Sequence, residues 1–309
     1  MTSALFDGVD LAPRDPILGV NEAFAADSRP GKVNLGVGVY TDDNGKVPLL
    51  RAVREAEKAR VESAVPRGYL PIEGIAAYDA AVQTMLLGAG SPLIAQGRVV
   101  TAQALGGTGA LKIGADFLKR FHGDAKVLIS DPSWENHRAL FEGAGFRVEQ
   151  YPYYQAATRG LDFGGMTTAL RAAPTGTIVV LHACCHNPTG VDLSLDQWKE
   201  IVQILRERDH VPYLDIAYQG FGDGIDADGA AVRLMADSGL LFFVASSFSK
   251  SFSLYGERVG ALSIVTGSKD EATRVLSQLK RVIRTNYSNP PTHGAVSYTH
   301  LTLPTTERV

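Results

Sequence analysis

"LLFFVASSFSKSFSLYGERVG", residues 240–260, sets one lysine, Lys250, among small hydroxyl and aromatic residues just behind an apolar segment. Most lysines keep their ammonium in water. The apolar segment reads as a buried strand, which puts Lys250 at a strand end. A buried lysine costs free energy unless its pKa falls or its nitrogen bonds covalently.

The same layout recurs upstream. "RVVTAQAL" (98–105) is strand-like and precedes "GGTG" (106–109) and the helical "ALKIGADFLKRF" (110–121). "AKVLISD" (125–131) precedes "NHRALFEGAG" (136–145), and "TIVVLHAC" (177–184) precedes "SLDQWKEIVQILRERD" (194–209). "VPYLDIAY" (211–218) is another short apolar strand. Strands apolar on both faces, alternating with amphipathic helices, predict an α/β fold with a mostly parallel central sheet covered by helices on both faces. Ligands bind such sheets beyond the carboxyl ends of the strands. Gly107–Thr108, Asp131–Trp134, Asn187, Asp215–Tyr218 and Ser247–Lys250 all fall there.

The chain before about Pro48 is loop-rich, with "RPGKVNLGVGVYTDDNGK" (29–46) reading as a short strand and a turn at Asn44–Gly45. "LLRAVREAEKARVESA" (49–64) has the pattern of an amphipathic helix. The 309 residues suffice for one large domain or two, with 45% apolar and 20% charged residues as in a soluble globular protein. A net charge of −3 with scattered Lys and Arg argues against nucleic acid as main partner. The adjacent Cys184 and Cys185 give no disulfide framework, which suits a cytoplasmic protein. The first residues hold no apolar leader core, and no apolar run is long enough to span a bilayer.

Taken singly, the strand-end residues have plain explanations. "GGTGA" (106–110) is either a tight strand-to-helix turn or an anion cradle at a helix start, with Thr108 adding a hydroxyl. In "HACCHNPTG" (182–190) the His and Cys residues lack the spaced pairs of a structural metal site, so both cysteines are expected to be small buried residues and no metal is expected. Asn187-Pro188 makes a turn and offers an amide to a ligand oxygen. Asp215 is either a cap or a buried carboxylate facing a cationic nitrogen. Together, a lysine for a Schiff base, an acid for a pyridinium and a phosphate cradle are the parts that pyridoxal phosphate needs.

"NLGVGVY" (34–40), "YLPIEG" (69–74), "GGTGALKIGADFL" (106–118), "SDPSWENH" (130–137), "HNPTG" (186–190), "DIAYQGF" (215–221), "SFSKSFSLYGERVG" (247–260) and "RTNYSNPP" (284–291) follow in order. This set resembles the class I aminotransferases of fold type I, above all the bacterial aromatic-amino-acid and aspartate enzymes, from about Asp15 to Gly294. The resemblance implies that Lys250 carries pyridoxal 5′-phosphate and later moves the substrate Cα proton. It implies that Asp215 pairs with the pyridinium nitrogen, supported by His137, and that Tyr218 and Asn187 bind the ring's phenolic oxygen. Trp134 would stack on the ring, and Gly107, Thr108, Ser247 and Arg258 would hold the phosphate. Tyr69 would reach the phosphate in the neighbouring subunit of a homodimer. Arg284 would meet a dicarboxylate's side-chain carboxylate, again across the dimer. Val37 and Gly38 would line the substrate side.

The implied activity is amino transfer from an aromatic or dicarboxylic L-amino acid to a 2-oxo acid. A lyase or decarboxylase on the same fold, aspartate aminotransferase proper, and a cofactor-binding fragment without catalysis remain as alternatives. The expected division is an N-terminal arm with the first part of a small domain (1–47), a large cofactor-binding domain (48–295) and a non-native tail (296–309). "VSYTHLTLPTTERV" departs from the family pattern and is expected to break the helix there and to pack poorly. On this expectation the chain is truncated, its small domain is incomplete, and the α-carboxylate arginine has no counterpart.

Overall fold

The computed structural model describes residues 5–13, 18–34, 36 and 38–302. The chain divides into two compact units, Met1–Pro48 and Leu49–Val309. The first carries one described helix, α1 (Leu18–Ala26). Its expected turn is present, with Gly45 N donating to Asp42 O at 2.9 Å. The expected strand around "NLGVGVY" does not form among the described residues. Leu35 and Val37 lie outside the described residues.

The second unit opens with α2 (Arg51–Ser63), α3 (Ala76–Leu87) and the short α4 (Pro92–Ala95). It continues with β1 (Val99–Leu105), α5 (Gly106–Phe121), β2 (Lys126–Asp131), α6 (Asn136–Gly143) and β3 (Arg147–Pro152). A small hairpin, β4 (Tyr154–Gln155) and β5 (Gly160–Leu161), leads to α7 (Phe163–Ala172), β6 (Ile178–His182), α8 (Leu195–Glu207) and β7 (Val211–Ile216). Then come α9 (Ile225–Asp228), α10 (Ala230–Asp237), β8 (Phe242–Ser247), β9 (Val259–Val265), α11 (Lys269–Asn286) and α12 (His293–Thr302).

The seven-stranded sheet has the order β1-β9-β8-β7-β6-β2-β3. Its run from β8 to β3 is parallel, and β9 lies antiparallel between β8 and β1. Alternate strand residues supply two cores, as the double-sided apolar pattern requires. Phe242 and Val244 join one core, with Tyr78, Leu170, Ile201 and Met235 from α3, α7, α8 and α10. Phe243 and Ala245 join the other, with Leu111, Phe141 and Leu279 from α5, α6 and α11. Local signals agree: α8 starts in a capping box, where Ser194 and Gln197 satisfy each other's backbone N–H. No described helix is long and apolar enough to cross a membrane.

Two expectations need correction. The glycines of "GGTG" do not form a loop ahead of the helix; α5 begins at Gly106. The chain after Val296 does not fray at once either, since α12 runs to Thr302. Ala295 and Tyr298 are buried three residues apart on one helix face, and Tyr298 packs on Tyr78 and Phe248 with ring centroids 4.9 and 4.1 Å away. Burying one large aromatic ring outweighs the few tenths of a kcal/mol that Thr and Ser cost a helix. Residues 303–309 of the expected tail lie outside the described residues.

Asp79 on α3 is buried, and its Oδ1 makes no hydrogen bond. Burial, helped by the charge of Glu73, pushes its carboxyl up to about 8. The folded state therefore holds a proton that the unfolded chain releases near the ordinary aspartate value of 3.8. This contribution to stability is complete below that value and is lost as pH rises towards and through about 8. Asp79→Asn is expected to flatten the fall in Tm between about pH 6 and pH 9. Melts giving parallel slopes for parent and variant would show that Asp79 does not titrate in this window.

Candidate active site

The sheet's hydrogen-bond register brings the strand-end residues to one edge. His182 on β6, Asp215 on β7 and Ala245 on β8 are successive register partners. Lys250 follows β8 by three residues. On the far side, Leu105 pairs with Val259 and Ser247 with Gly260, so the end of β1, the start of β9 and the end of β8 converge.

Lys250 is partly buried, and its Nζ lies 4.6 Å over the Tyr218 ring. No hydrogen bond or ion pair of its side chain is found among the described residues. Burial holds its ammonium below the ordinary lysine value; Asp215 opposes this and Arg258 adds to it. The amine is thus closer to its nucleophilic form than an exposed lysine. Tyr218 moves the other way, its phenol pushed up by burial and by Asp215.

Asp215 is 6% exposed, and its Oδ2 accepts from His137 Nε2 at 2.8 Å. Ser133 Oγ sits 2.9 Å from His137 Nδ1. With Nε2–H pointing at the carboxylate and Nδ1 paired with the serine hydroxyl, both ring nitrogens are engaged and the imidazole is aimed. Trp134 stands edge-on to His137, centroids 5.3 Å apart. Behind them stand the partly buried His182 and the buried His186; desolvation holds His182 well below the ordinary histidine value and lowers His186 to about 4. His137, His182 and Asp215 offer atoms close enough to ligate an ion, but His137 spends both nitrogens on Ser133 and Asp215.

The phosphate side is built from α5. Helix geometry leaves the N–H groups of its first turn without intrahelical acceptors, and Leu105 provides no side-chain cap. Gly106 N is used by Arg258 O at 2.9 Å, which leaves Gly107 and Thr108 to face a ligand. Gly106 has φ +69°, and a Cβ there would lie 2.5 Å from Arg258 Nη2 and displace the guanidinium, so glycine suits the position. A Cβ on Gly107 would lie 3.0 Å from Ser247 Cβ, so bare backbone and the serine share the same small space. Arg258, itself at φ +54°, is steadied by Tyr255 O at 3.0 Å and Ser249 Oγ at 3.4 Å. An anion here meets a helix N-terminus, hydroxyls and a guanidinium together.

Asn187 lies in the loop after β6, beside a cis bond to Pro188. Cys184 is buried as expected, whereas Cys185 is only half-buried. Its N–H donates to Asp192 Oδ2 at 2.6 Å in a left-handed turn at φ +49°, and its side chain packs against the edge of the core. Tyr69 and Arg284 stand apart from the cluster within this chain: Tyr69 is 97% exposed, and exposed Arg284 donates to Ser288 Oγ at 2.7 Å. Gly38 is exposed in the first unit. The sequence pattern puts Ser133 and Ser249 among the strand-end groups without a role of their own; the four-residue spacing of Ser133 and His137 in "SDPSWENH" is the signal for the first.

Such a cluster suits a phosphorylated carbonyl cofactor held by a lysine, the arrangement of fold type I transferases. Comparison with known proteins names the family. A model described as "Aminotransferase class I and II" matches residues 30–305, beyond the expected end of the resemblance near Ala295. The aspartate aminotransferase of Pseudomonas aeruginosa is 71% identical over 292 residues, covering 94% of this chain and 73% of that protein. The aromatic-amino-acid aminotransferase of Escherichia coli is 51% identical over 294 residues, covering 94% and 74%. A crystal structure of the aromatic-amino-acid aminotransferase from Burkholderia pseudomallei, covalently bound to pyridoxal phosphate, superposes with a TM-score of 0.96 at 71% identity, covering 98% of this chain and 76% of that one. The chain belongs to the class I and II aminotransferases.

Proposed function

We propose that the protein transfers the amino group of an aromatic or dicarboxylic L-amino acid to a 2-oxo acid such as 2-oxoglutarate, with pyridoxal 5′-phosphate as cofactor. One observation carries the reading: Lys250 and Tyr218 stand between the His137–Asp215 pair and an uncapped helix start faced by Arg258. When bound, the cofactor supplies an electron sink for the pair left on the substrate Cα.

The chain's residues have separate tasks. Lys250 is the cofactor's attachment point and carries the proton off the substrate Cα. Asp215 keeps the ring nitrogen protonated by its charge, and His137 holds that carboxylate in place. Tyr218 and Asn187 donate to the phenolic oxygen, and Trp134 covers the ring face. Gly107, Thr108, Ser247 and Arg258 grip the phosphate. In a homodimer, Tyr69 and Arg284 turn from this chain towards the partner's phosphate and substrate; Gly38 lines the substrate side. Metal, membrane and nucleic acid have no part in the scheme, and the cytoplasm is the proposed location.

The named relatives divide between aspartate and aromatic donors. Near-visible absorbance of the purified, cofactor-loaded protein decides between donors when aspartate, glutamate, tyrosine and phenylalanine are added singly. Conversion of the bound chromophore by both dicarboxylic and aromatic donors is the expected result. A chromophore that none of the four converts would replace transamination with the reading of an inert cofactor-binding fragment.

A further inference from the structure

Tyr69 and Arg284 point outward, yet the backbone around each is tied to the protein interior. Leu70 O accepts from Asn289 Nδ2 at 3.0 Å, which binds the two segments directly. Both then meet one residue of β1, Gln103, which is 2% exposed. Gln103 N donates to Glu73 O at 2.8 Å, and Gln103 Nε2 donates to Pro291 O at 2.6 Å. Gln103 O accepts from Tyr287 OH at 3.2 Å. Gly74 packs its bare Cα on the Gln103 side chain, at φ +108° where no side chain would fit. Lys280 from α11 closes the loop on Glu73 at 2.6 Å. Three residues after Gln103 comes Gly106, the start of the phosphate cradle.

We infer that Gln103 is a positioning residue for the recognition of the substrate's side-chain carboxylate: it locks the segments bearing Tyr69 and Arg284 to the strand that ends in the chain's own phosphate cradle. The inference rests on the proposed role of Arg284 and adds the element that aims it. The lock is specific in its chemistry. The Gln103 amide NH2 donates to Pro291 O in the 287–291 turn, while its buried Oε1 makes no hydrogen bond, so the side chain is held through this one polar contact. That turn also presents Ser288, at φ +71°, whose hydroxyl accepts from Arg284 Nη1. Release of Pro291 O frees the turn, and with it the direction of the guanidinium.

Gln103→Met keeps the side-chain volume and both backbone bonds and removes the carboxamide, that is, the donor to Pro291 O together with the unpaired Oε1. With aspartate or glutamate as donor, KM is expected to rise about fivefold to tenfold with kcat within about twofold, the pattern of lost uniform binding. With tyrosine or phenylalanine the rise is much smaller, because no side-chain carboxylate is read. Tyr287→Phe removes the neighbouring bond without burying a new group, and shifts the dicarboxylate KM in the same direction by less. In an Arg284→Ala background Gln103→Met adds nothing further to the dicarboxylate KM, since coupled residues are non-additive. Equal KM shifts for both donor types in folded Gln103→Met, or no shift in either variant, overturns the inference while leaving Arg284 in its role. An Arg284→Ala protein with unchanged dicarboxylate KM overturns the role and the inference together.

Discussion

Lys250→Ala is expected to lower transamination by about four orders of magnitude or more while the protein still folds and still binds the cofactor phosphate. The lysine offers little to stability, since among the described residues its ammonium makes no hydrogen bond or ion pair and lies over the Tyr218 ring. Such contacts are worth about 0.5–2 kcal/mol. The phosphate cradle is built from other residues, on α5, on β8 and at the start of β9, and survives the change. What is lost is the one amine whose ammonium burial and Arg258 disfavour. Lys250→Arg does not restore it, because a guanidinium stays protonated and cannot take the Cα proton. Borohydride reduction of the parent, followed by peptide mapping, is expected to find the pyridoxyl group on Lys250. A label on any other lysine removes Lys250 from its role.

The layers of this fold could be read from the sequence because each rests on a local pattern. "TIVVLHAC" and "LLFFVASSF" are apolar on both faces, and both became inner strands of a mostly parallel sheet. The gathering of unusual residues at strand ends followed from the same pattern, since register puts His182, Asp215 and Ala245 side by side. The antiparallel β9 was not legible: "VGALSIV" is as apolar as its neighbours, and direction is set by the turn through Arg258 rather than by composition. The start of α5 was placed late because glycine is a poor helix former, although here two glycines occupy the first turn where Arg258 and Ser247 leave no room for a side chain. The course of α12 was misjudged for a similar reason. Thr-rich composition speaks against a helix, but burial of Tyr298 against Tyr78 is a tertiary contact that the segment itself does not reveal. Gln103 was invisible as well, because its partners come from segments about 30 and 190 residues distant in the chain, contacts that no local pattern records.

Asp215→Asn is the second large expected effect: a fall in turnover of about a hundredfold to a thousandfold, with cofactor retained. The two side chains have nearly the same shape, so packing between β6 and β8 is preserved. The hydrogen bond from His137 Nε2 can also persist, since the amide oxygen still accepts. The change is therefore almost purely one of charge. In a site where Asp215 is only 6% exposed, that charge acts through protein rather than water, and its loss is not made up by solvent. A preorganised charge of this kind is worth about 2.7–4 kcal/mol in the step where the electron pair develops. The loss should fall on the rate of the half-reaction with an amino donor and leave phosphate affinity nearly unchanged, because Gly107, Thr108, Ser247 and Arg258 form a separate cradle. Lys250 should respond too: Asp215 is the charge that raises its pKa, so without it the amine titrates at still lower pH. Single-turnover absorbance with glutamate, measured beside cofactor binding in the same preparation, separates these effects. A near-parental half-reaction rate in a fully loaded Asn variant would take the ring-nitrogen role away from Asp215.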